Sequence, residues 1–251
     1  MGSMDSARSG EGDCVKLLFF IPSFNDQEGL PELVQSLVNA YPRATVLVID
    51  DGSDPPLILP TAQLSAGARV LLHRVAFNVG LGLITSVALD YFLDEDFDCL
   101  IRLDADGQHP LDEIEGLLSP LISGQADVVW GERINHMTLL SPKQVMGALT
   151  KQATAWMGQL IFRSKVKDWF TGFFAINRLA AERASNSHLE RYCEVQLLCI
   201  FHSGDLTVNT HRIEQLERKF GNSRIHWIDG VLIFLRSTLI MVLYALRMYP
   251  K

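Results

Sequence analysis

Cysteine is scarce: Cys14, Cys99, Cys193 and Cys199 are the four in 251 residues, and they form no C-x-x-C pair. No histidine or cysteine stands at a zinc-like interval from them, so the chain reads as neither a disulfide scaffold nor a zinc module but as a carrier of reduced, cytosolic thiols. Charge is also thin, at 20% of the residues, against a usual share of about 25%. Basic residues are the minority, 22 against 29 acidic for a formal net charge of −7. That balance excludes a general nucleic-acid binder, which needs a basic face to displace phosphate counterions. There is no internal repeat and no low-complexity linker. Residues 1–14 are polar and Gly/Ser-rich, without the apolar run of a secretory signal; they read as a disordered tail that opens on a cloning remnant, Met1-Gly2-Ser3 before Met4.

What remains is a core-forming chain, 48% hydrophobic, long enough for one large domain or two small ones at roughly 100–200 residues each. Its charge is uneven. Residues 1–110 hold 16 acidic side chains against 6 basic, 111–210 hold 10 against 9, and 211–251 hold 3 against 7. An acidic first half points to a metal-assisted site, and a basic end to an anionic partner or a membrane surface; the plain alternative is solvated surface.

Lys16 to Ile21 is an apolar run that reads as a buried strand, stopped by Pro22-Ser23-Phe24-Asn25. A helix follows, with Pro31 near its start, Leu30, Leu33, Val34, Leu37 and Val38 at helical spacing, and Tyr41-Pro42 at its end. Thr45 to Ile49, Val70 to Leu72, Cys99 to Leu103 and Asp127 to Gly131 repeat the strand pattern, and helices are expected at about Leu81–Phe92 and Lys143–Phe162. Alternating strands and helices predict an α/β fold with a mainly parallel sheet flanked by helices, in which ligands gather at the carboxyl ends of the strands. Asn25, Asp50, Asp51, Asp104 and Asp106 each follow an apolar strand, where they would converge on one crevice. Singly, an Asp-Gly pair after a strand is turn chemistry.

The most informative stretch is Leu103-Asp104-Ala105-Asp106-Gly107-Gln108-His109-Pro110. Carboxylates at i and i+2 on a strand end offer hard oxygen ligands to Mg²⁺ or Mn²⁺, which in turn bridges phosphate oxygens. Gln108 adds a neutral oxygen, and His109 reads as a structural loop residue. Three further motifs precede it: Pro22-Ser23-Phe24-Asn25-Asp26-Gln27-Glu28, Val48-Ile49-Asp50-Asp51-Gly52-Ser53 and Asn78-Val79-Gly80-Leu81-Gly82. Their order and spacing resemble the inverting family 2 glycosyltransferases of the GT-A nucleotide-diphospho-sugar transferase fold, and among them the polyprenol- and dolichol-phosphate sugar synthases. Later segments resemble that group more loosely. Gly131-Glu132-Arg133 stands for Gly-Ser-Arg, Asp168-Trp169-Phe170-Thr171-Gly172-Phe173-Phe174-Ala175 for Asp-x-Thr-Ser-Gly-Phe-Arg-Ala, and Arg218-Lys219-Phe220-Gly221-Asn222-Ser223-Arg224 for Arg-x-x-Gly-x-Ser-Lys. Phe170, Phe174, Glu132 and Arg224 depart from the pattern, which bears on acceptor and sugar more than on donor.

The resemblance implies a catalytic domain over 15–224, with Pro22, Asn25, Glu28 and Asp51 lining a nucleoside pocket and Asp104 and Ala105 against the nucleotide. It implies a metal, Mg²⁺ or Mn²⁺, on Asp104, Asp106 and Gln108, with Asp106 at the reacting diphosphate. Gly80 and Gly82 read equally as close-approach glycines and as nucleotide contacts. The donor is then a GDP- or UDP-sugar. A polyprenyl phosphate acceptor is already an anion and needs no base, only cations to hold it; Arg133, Arg218, Arg224 and Lys143 are the candidates, Arg133 first. A hydroxyl acceptor would need a base, Asp168 or Glu194, although Asp168 also reads as a cap on the Thr171-Gly172 turn. A silent sugar-nucleotide binder is the non-enzymatic alternative.

Residues 225–251 read as an amphipathic helix. Trp227 to Tyr249 is mostly apolar and long enough to cross about 30 Å, but Asp229, Arg236 and Arg247 fall on one narrow stripe at 100° per residue. That suits a helix lying in the membrane interface, with Trp227, Tyr244 and Tyr249 at headgroup depth, on an enzyme peripheral to the cytosolic face. A core or homodimer helix is the alternative.

Overall fold

The inner strands form where apolar runs have both faces covered. β1 (Leu17–Ser23), β2 (Thr45–Asp50) and β4 (Cys99–Arg102) are buried along nearly their whole length, as parallel strands between helix layers are. The computed structural model describes residues 15–59, 69–134, 142–216 and 227–248, with 142–146 and 227–231 described by their backbone alone. With β3 (Arg69–Arg74), β5 (Val128–Arg133), β6 (Phe174–Asn177) and β7 (Val208–Ile213), the strands make one seven-stranded sheet in the order β3-β2-β1-β4-β6-β5-β7. β1 lies parallel to β2 and β4, β2 to β3, and β5 to β7. β6 runs antiparallel to both its neighbours, β4 and β5.

Side chains alternate across the sheet and build a core on each face. Leu18 and Phe20 of β1 join Trp130, Trp169 and Phe174 on one side, while Phe19 and Ile21 join Val46, Ile101 and Phe173 on the other. The first core is covered by α2 (Leu81–Asp94), α5 (Arg178–Ser185) and α6 (Glu194–Ser203), the second by α1 (Leu30–Ala40) and α3 (Ile114–Ile122). α1 starts with Pro31 in its first turn and buries the apolar stripe that the sequence pattern marks. α4 (Pro142–Phe162) and α7 (Trp227–Ala245) pack on each other outside α6. The sequence pattern marks β1 to β5, α1, α2 and α4 within about two residues and leaves α3, α5, α6, β6 and β7 unmarked. The expected tail, 1–14, and the expected boundary at 224–225 lie outside the described residues.

The C-terminal helix departs from its expected charge stripe. α7 ends at Ala245, so Arg247 is past the helix, in a left-handed turn at φ +55°. Arg236 pairs with Glu190 of the protein body, and Tyr244 is half-buried against the first core. The face turned outward is apolar instead: Leu232, Leu235, Leu239, Val242 and Leu246 are exposed. Ion pairing and the burial of Ser237, Ile240 and Met241 set the rotation of the helix, and neither is visible in a helical projection. No helix among the described residues is long and apolar enough to cross a membrane.

Asp50, which the sequence places with the crevice residues, is fully buried at the end of β2 and organises the following loop. Its Oδ1 accepts from the Ser53 N–H at 2.9 Å, its Oδ2 from the Leu57 N–H at 3.2 Å, and Arg74 Nη1 lies 3.7 Å away. Removing the carboxylate leaves buried donors unmet, at about 1–3 kcal/mol each. Asp50→Ala is therefore expected to destabilise the protein by about 2–4 kcal/mol, read from the urea unfolding midpoint with an unchanged m-value.

Candidate active site

The carboxyl ends of β1, β2 and β4 present their polar residues side by side, since those strands are parallel and in register. At the end of β1, Asn25 has a left-handed backbone, φ +54°, which asparagine tolerates better than most residues. Its N–H donates to Ser53 Oγ at 2.8 Å, and its Oδ1 accepts from the Asp54 N–H at 2.9 Å. The first two motifs are thus stitched together. Asp51 then ties the third: its Oδ1 accepts from the Val79 N–H at 2.7 Å, and its Oδ2 from the Gly80 N–H at 3.0 Å and Asn78 Nδ2 at 2.9 Å. Much of the carboxylate's accepting capacity goes to the loop before α2. Gly82 is a close-approach position, since a Cβ there would lie 2.1 Å from the Glu190 carbonyl oxygen. Pro22 is half-buried and Glu28 exposed beside this edge.

Asp104 and Asp106 follow β4. Asp104 is half-exposed and its Oδ1 accepts from Arg102 Nη2 at 3.3 Å; the same nitrogen donates to Glu194 Oε1 at 3.0 Å. Arg102 is 2% exposed, with its guanidinium carbon 5.6 Å from the centre of the Phe174 ring. Burial would discharge it, but Glu194 and Asp104 together raise its pKa above the ordinary arginine value. Burial would likewise raise the Asp104 carboxyl, but Arg102, then His109, override it and hold the group below the usual carboxylate range. His109 Nδ1 accepts from the Asp104 N–H at 3.1 Å, and its ring stacks on Phe173 with centroids 4.9 Å apart. Burial lowers its pKa despite Asp104 and Asp106, and its contacts shape the loop. Asp106 Oδ1 accepts from the Gln108 N–H at 3.1 Å across the turn at Gly107, and the Gln108 side-chain amide donates to the Leu216 carbonyl at 3.3 Å. Ala105 is buried between the two carboxylates.

Two carboxylates on an open strand end fit a hard divalent ion that draws its remaining ligands from a diphosphate and water. They do not make an all-protein cage: no group of three or more His, Cys, Asp or Glu able to hold a metal occurs among the described residues. Space for the first carboxylate is provided by Gly172, where a Cβ would lie 2.3 Å from Asp104 Oδ1 and 2.4 Å from Oδ2.

A second charged cluster interacts electrostatically with Asp104 through Arg133. Asp168 accepts from Arg133 through both oxygens, with Arg133 Nη2 at 2.9 Å from Oδ1, and Lys151 Nζ lies 3.2 Å from Oδ2. Burial would raise Asp168, but the hydrogen bond and charge of Arg133, then Lys151, bring it below the usual range. Arg133 is raised, Asp168 outweighing burial, and Lys151 is lowered because burial outweighs Asp168. Asp168 also accepts from the Phe170 N–H at 3.2 Å, while the following turn is closed by Thr171 Oγ1, which accepts from the Phe173 N–H at 3.2 Å. Capping is the lesser part of its work. Glu132, at the family's serine position, accepts from the Lys167 N–H and braces the same segment. Arg218 and Arg224 lie outside the described residues, as does the side chain of Lys143. Sequence reasoning misses Lys151, which carries no signal on a helix rich in solvated positions. It also misses Arg102, whose signal was present: an arginine inside an otherwise apolar strand.

A mainly parallel α/β sheet with paired carboxylates at one strand end and an arginine–lysine cluster across from them defines a class, the nucleotide-sugar transferases of GT-A type. The family described as Glycosyl transferase family 2 matches residues 19–183, and the chain belongs to it. Among curated relatives, polyprenol monophosphomannose synthase of Mycolicibacterium smegmatis is 33% identical over 121 residues, covering 47% of this chain and 45% of the relative. Undecaprenyl-phosphate mannosyltransferase of Micrococcus luteus is 29% identical over 148 residues, 58% of each. The chain spans about half the length of the curated relatives it matches. Glucosyl-3-phosphoglycerate synthase from Mycobacterium tuberculosis, in complex with Mn²⁺, UDP and glucosyl-3-phosphoglycerate, superimposes with a TM-score of 0.64 at 16% identity, covering 94% of this chain and 81% of that one; this shows the shared fold.

Gly172→Ala is expected to push the Asp104 carboxylate aside and to weaken binding of a nucleoside diphosphate with Mn²⁺ at least tenfold, by calorimetry, while the circular dichroism spectrum is kept. Asp168→Asn leaves two partly buried cations short of a counter-charge. Full burial would cost about 3–5 kcal/mol; with Arg133 and Lys151 each partly exposed, about 2 kcal/mol is expected after screening. Because Asp168 titrates lower in the folded than in the unfolded protein, its stabilisation is complete above about pH 4 and fades below it. The wild type should therefore lose more stability than Asp168→Asn on acidification from pH 5 to 3, in urea melts at the two pH values.

Proposed function

We propose that the chain is an inverting glycosyltransferase that moves a sugar from a nucleoside diphosphate donor to a polyprenyl phosphate. The observation that carries this reading is the cationic cluster of Arg133 and Lys151 held over a single carboxylate, across from Asp104 and Asp106. A phosphate acceptor needs fixed positive charge and no base. Asp168, the expected base for a hydroxyl acceptor, is bound through both oxygens to a guanidinium and kept acidic; such a group is a weak proton acceptor. The relatives named as polyprenol and undecaprenyl phosphate mannosyltransferases support the same acceptor class.

On the donor side, the Asn25–Ser53–Asp51 network supports a nucleoside pocket at β1 and β2 with Pro22 and Glu28 at its wall. Asp104 and Asp106 are the residues that would hold a divalent ion with the diphosphate, Gln108 bracing their loop. The ion, when bound, supplies charge to the departing diphosphate; the related fold of glucosyl-3-phosphoglycerate synthase carries Mn²⁺ with UDP. The chain's own residues do the rest: Arg102 keeps Asp104 ionised and aimed, and Arg133 and Lys151 orient the acceptor phosphate for in-line attack on the anomeric carbon, which inverts it.

A membrane-facing surface accompanies this reading. α4 exposes Leu149, Trp156 and Leu160, and α7 the five apolar residues named above. The helices touch through Thr238 and Met157, so the two apolar stripes belong to adjoining helices. α4 contains no acidic residue and α7 only Asp229, in a chain with an acidic excess. An apolar face short of acidic residues suits the interface of an anionic bilayer, on which the enzyme would lie peripherally. Incubation with labelled GDP-mannose or UDP-glucose, polyprenyl phosphate and Mn²⁺ is expected to yield label that partitions into organic solvent, at least a hundredfold less with Asp106→Asn. Label transferred only to a water-soluble acceptor, or transfer indifferent to Asp106→Asn, would refute the proposal.

A further inference from the structure

At the end of α6 remote from Glu194, about 15 Å away at 1.5 Å per residue, the C-terminal ends of α4, α5, α6 and α7 surround a cavity of about 680 Å³. Its walls are apolar at Phe162, Ile200 and Tyr244 and cationic at Arg183 and Arg247. No carboxylate lines it, and neither arginine has an ion-pair partner among the described residues. His202, also in the lining, gives its Nδ1 to the Leu198 carbonyl at 2.8 Å, and burial lowers its pKa; the positive charge of the cavity is that of the two guanidiniums.

Some of that charge answers the helix ends, which carry partial negative charge. The backbone at these helix ends is also unusual. α7 closes with the Arg247 N–H on the Tyr244 carbonyl at 3.0 Å and the Met248 N–H on the Leu243 carbonyl at 2.9 Å, the Schellman arrangement, whose left-handed residue is usually glycine. Here it is Arg247, at φ +55°; Arg163, just after α4, has the same φ of +55°. Two adjoining helices thus end on arginines in a conformation that disfavours side chains. Both sit at the rim of the apolar α4–α7 face.

We propose that this cavity binds the phosphate headgroup of an anionic phospholipid, with Arg183 and Arg247 as its ligands and the acyl chains leaving along α4 and α7. It is separate from the site of sugar transfer and rests on the membrane reading above. The walls fit such an amphiphile: a fork of N–H donors for the phosphate, and Phe162, Ile200 and Tyr244 for the first methylenes.

The test is flotation with vesicles of phosphatidylcholine alone and of phosphatidylcholine mixed with phosphatidylglycerol. Wild type should favour the anionic vesicles by roughly tenfold or more, and Arg183→Gln/Arg247→Gln should lose that preference. Lys165→Gln/Lys167→Gln, which removes equal charge from exposed lysines near α4, should keep most of it. An equal loss in both pairs, or none in the arginine pair, overturns the headgroup site while leaving the membrane reading standing. Failure of wild type to float with either vesicle sinks the membrane reading itself. Thermal stabilisation by glycerol phosphate that needs both arginines, with no change in flotation, would assign the cavity to a soluble phosphate and overturn the lipid assignment. Melting temperatures of both variants within a few degrees of wild type exclude misfolding.

Discussion

A guanidinium buried at the end of a central strand governs the arrangement of this site. Arg102 cannot shed its charge where it lies, so acidic partners must come to it, and they come from two places: Asp104 from its own strand end and Glu194 from the first turn of α6. Desolvating three formal charges is costly unless each is matched. The match here is a single nitrogen shared between two carboxylates, which keeps Asp104 ionised and turned toward the crevice. Arg133 and Asp168 repeat the solution, with Lys151 closing the second group. Each cation is thereby held against its own carboxylate, so neither cluster carries an unmatched buried charge.

Much of this was legible before any coordinates. The four crevice motifs lie on local features, strand ends and tight turns, and a chain folded as alternating strands and helices has to bring its strand ends together. β1, β2 and β4 therefore fall where their apolar runs predict, and Asn25, Asp51, Asp104 and Asp106 at one rim. Asp50 shares the signal of following an apolar strand, but one residue before Asp51 its carboxylate points into the sheet end and serves two backbone N–H groups instead.

The Asp168 cluster is less legible in the sequence because its geometry is wholly tertiary. Lys151 reaches Asp168 from the middle of α4, a relation between residues 17 apart that no periodicity encodes. Asp168 reads as a turn cap by its local sequence and becomes a counter-ion only when β5 brings Arg133 beside it. The rotation of α7 shows the same limit. A projection lines up Asp229, Arg236 and Arg247, but Glu190 claims Arg236 and the helix stops before Arg247, leaving leucines outermost.

The reversal of β6 has a consequence for how such a scaffold is furnished. Its neighbours β4 and β5, both antiparallel to it, deliver chain to the crevice as they exit the sheet, whereas β6 receives the chain that enters it, Asp168 to Phe173. One rim is thus supplied by departing and arriving segments that share no turn. Each can be lengthened or rewritten without shifting the other's register, so the two halves of the rim can vary independently.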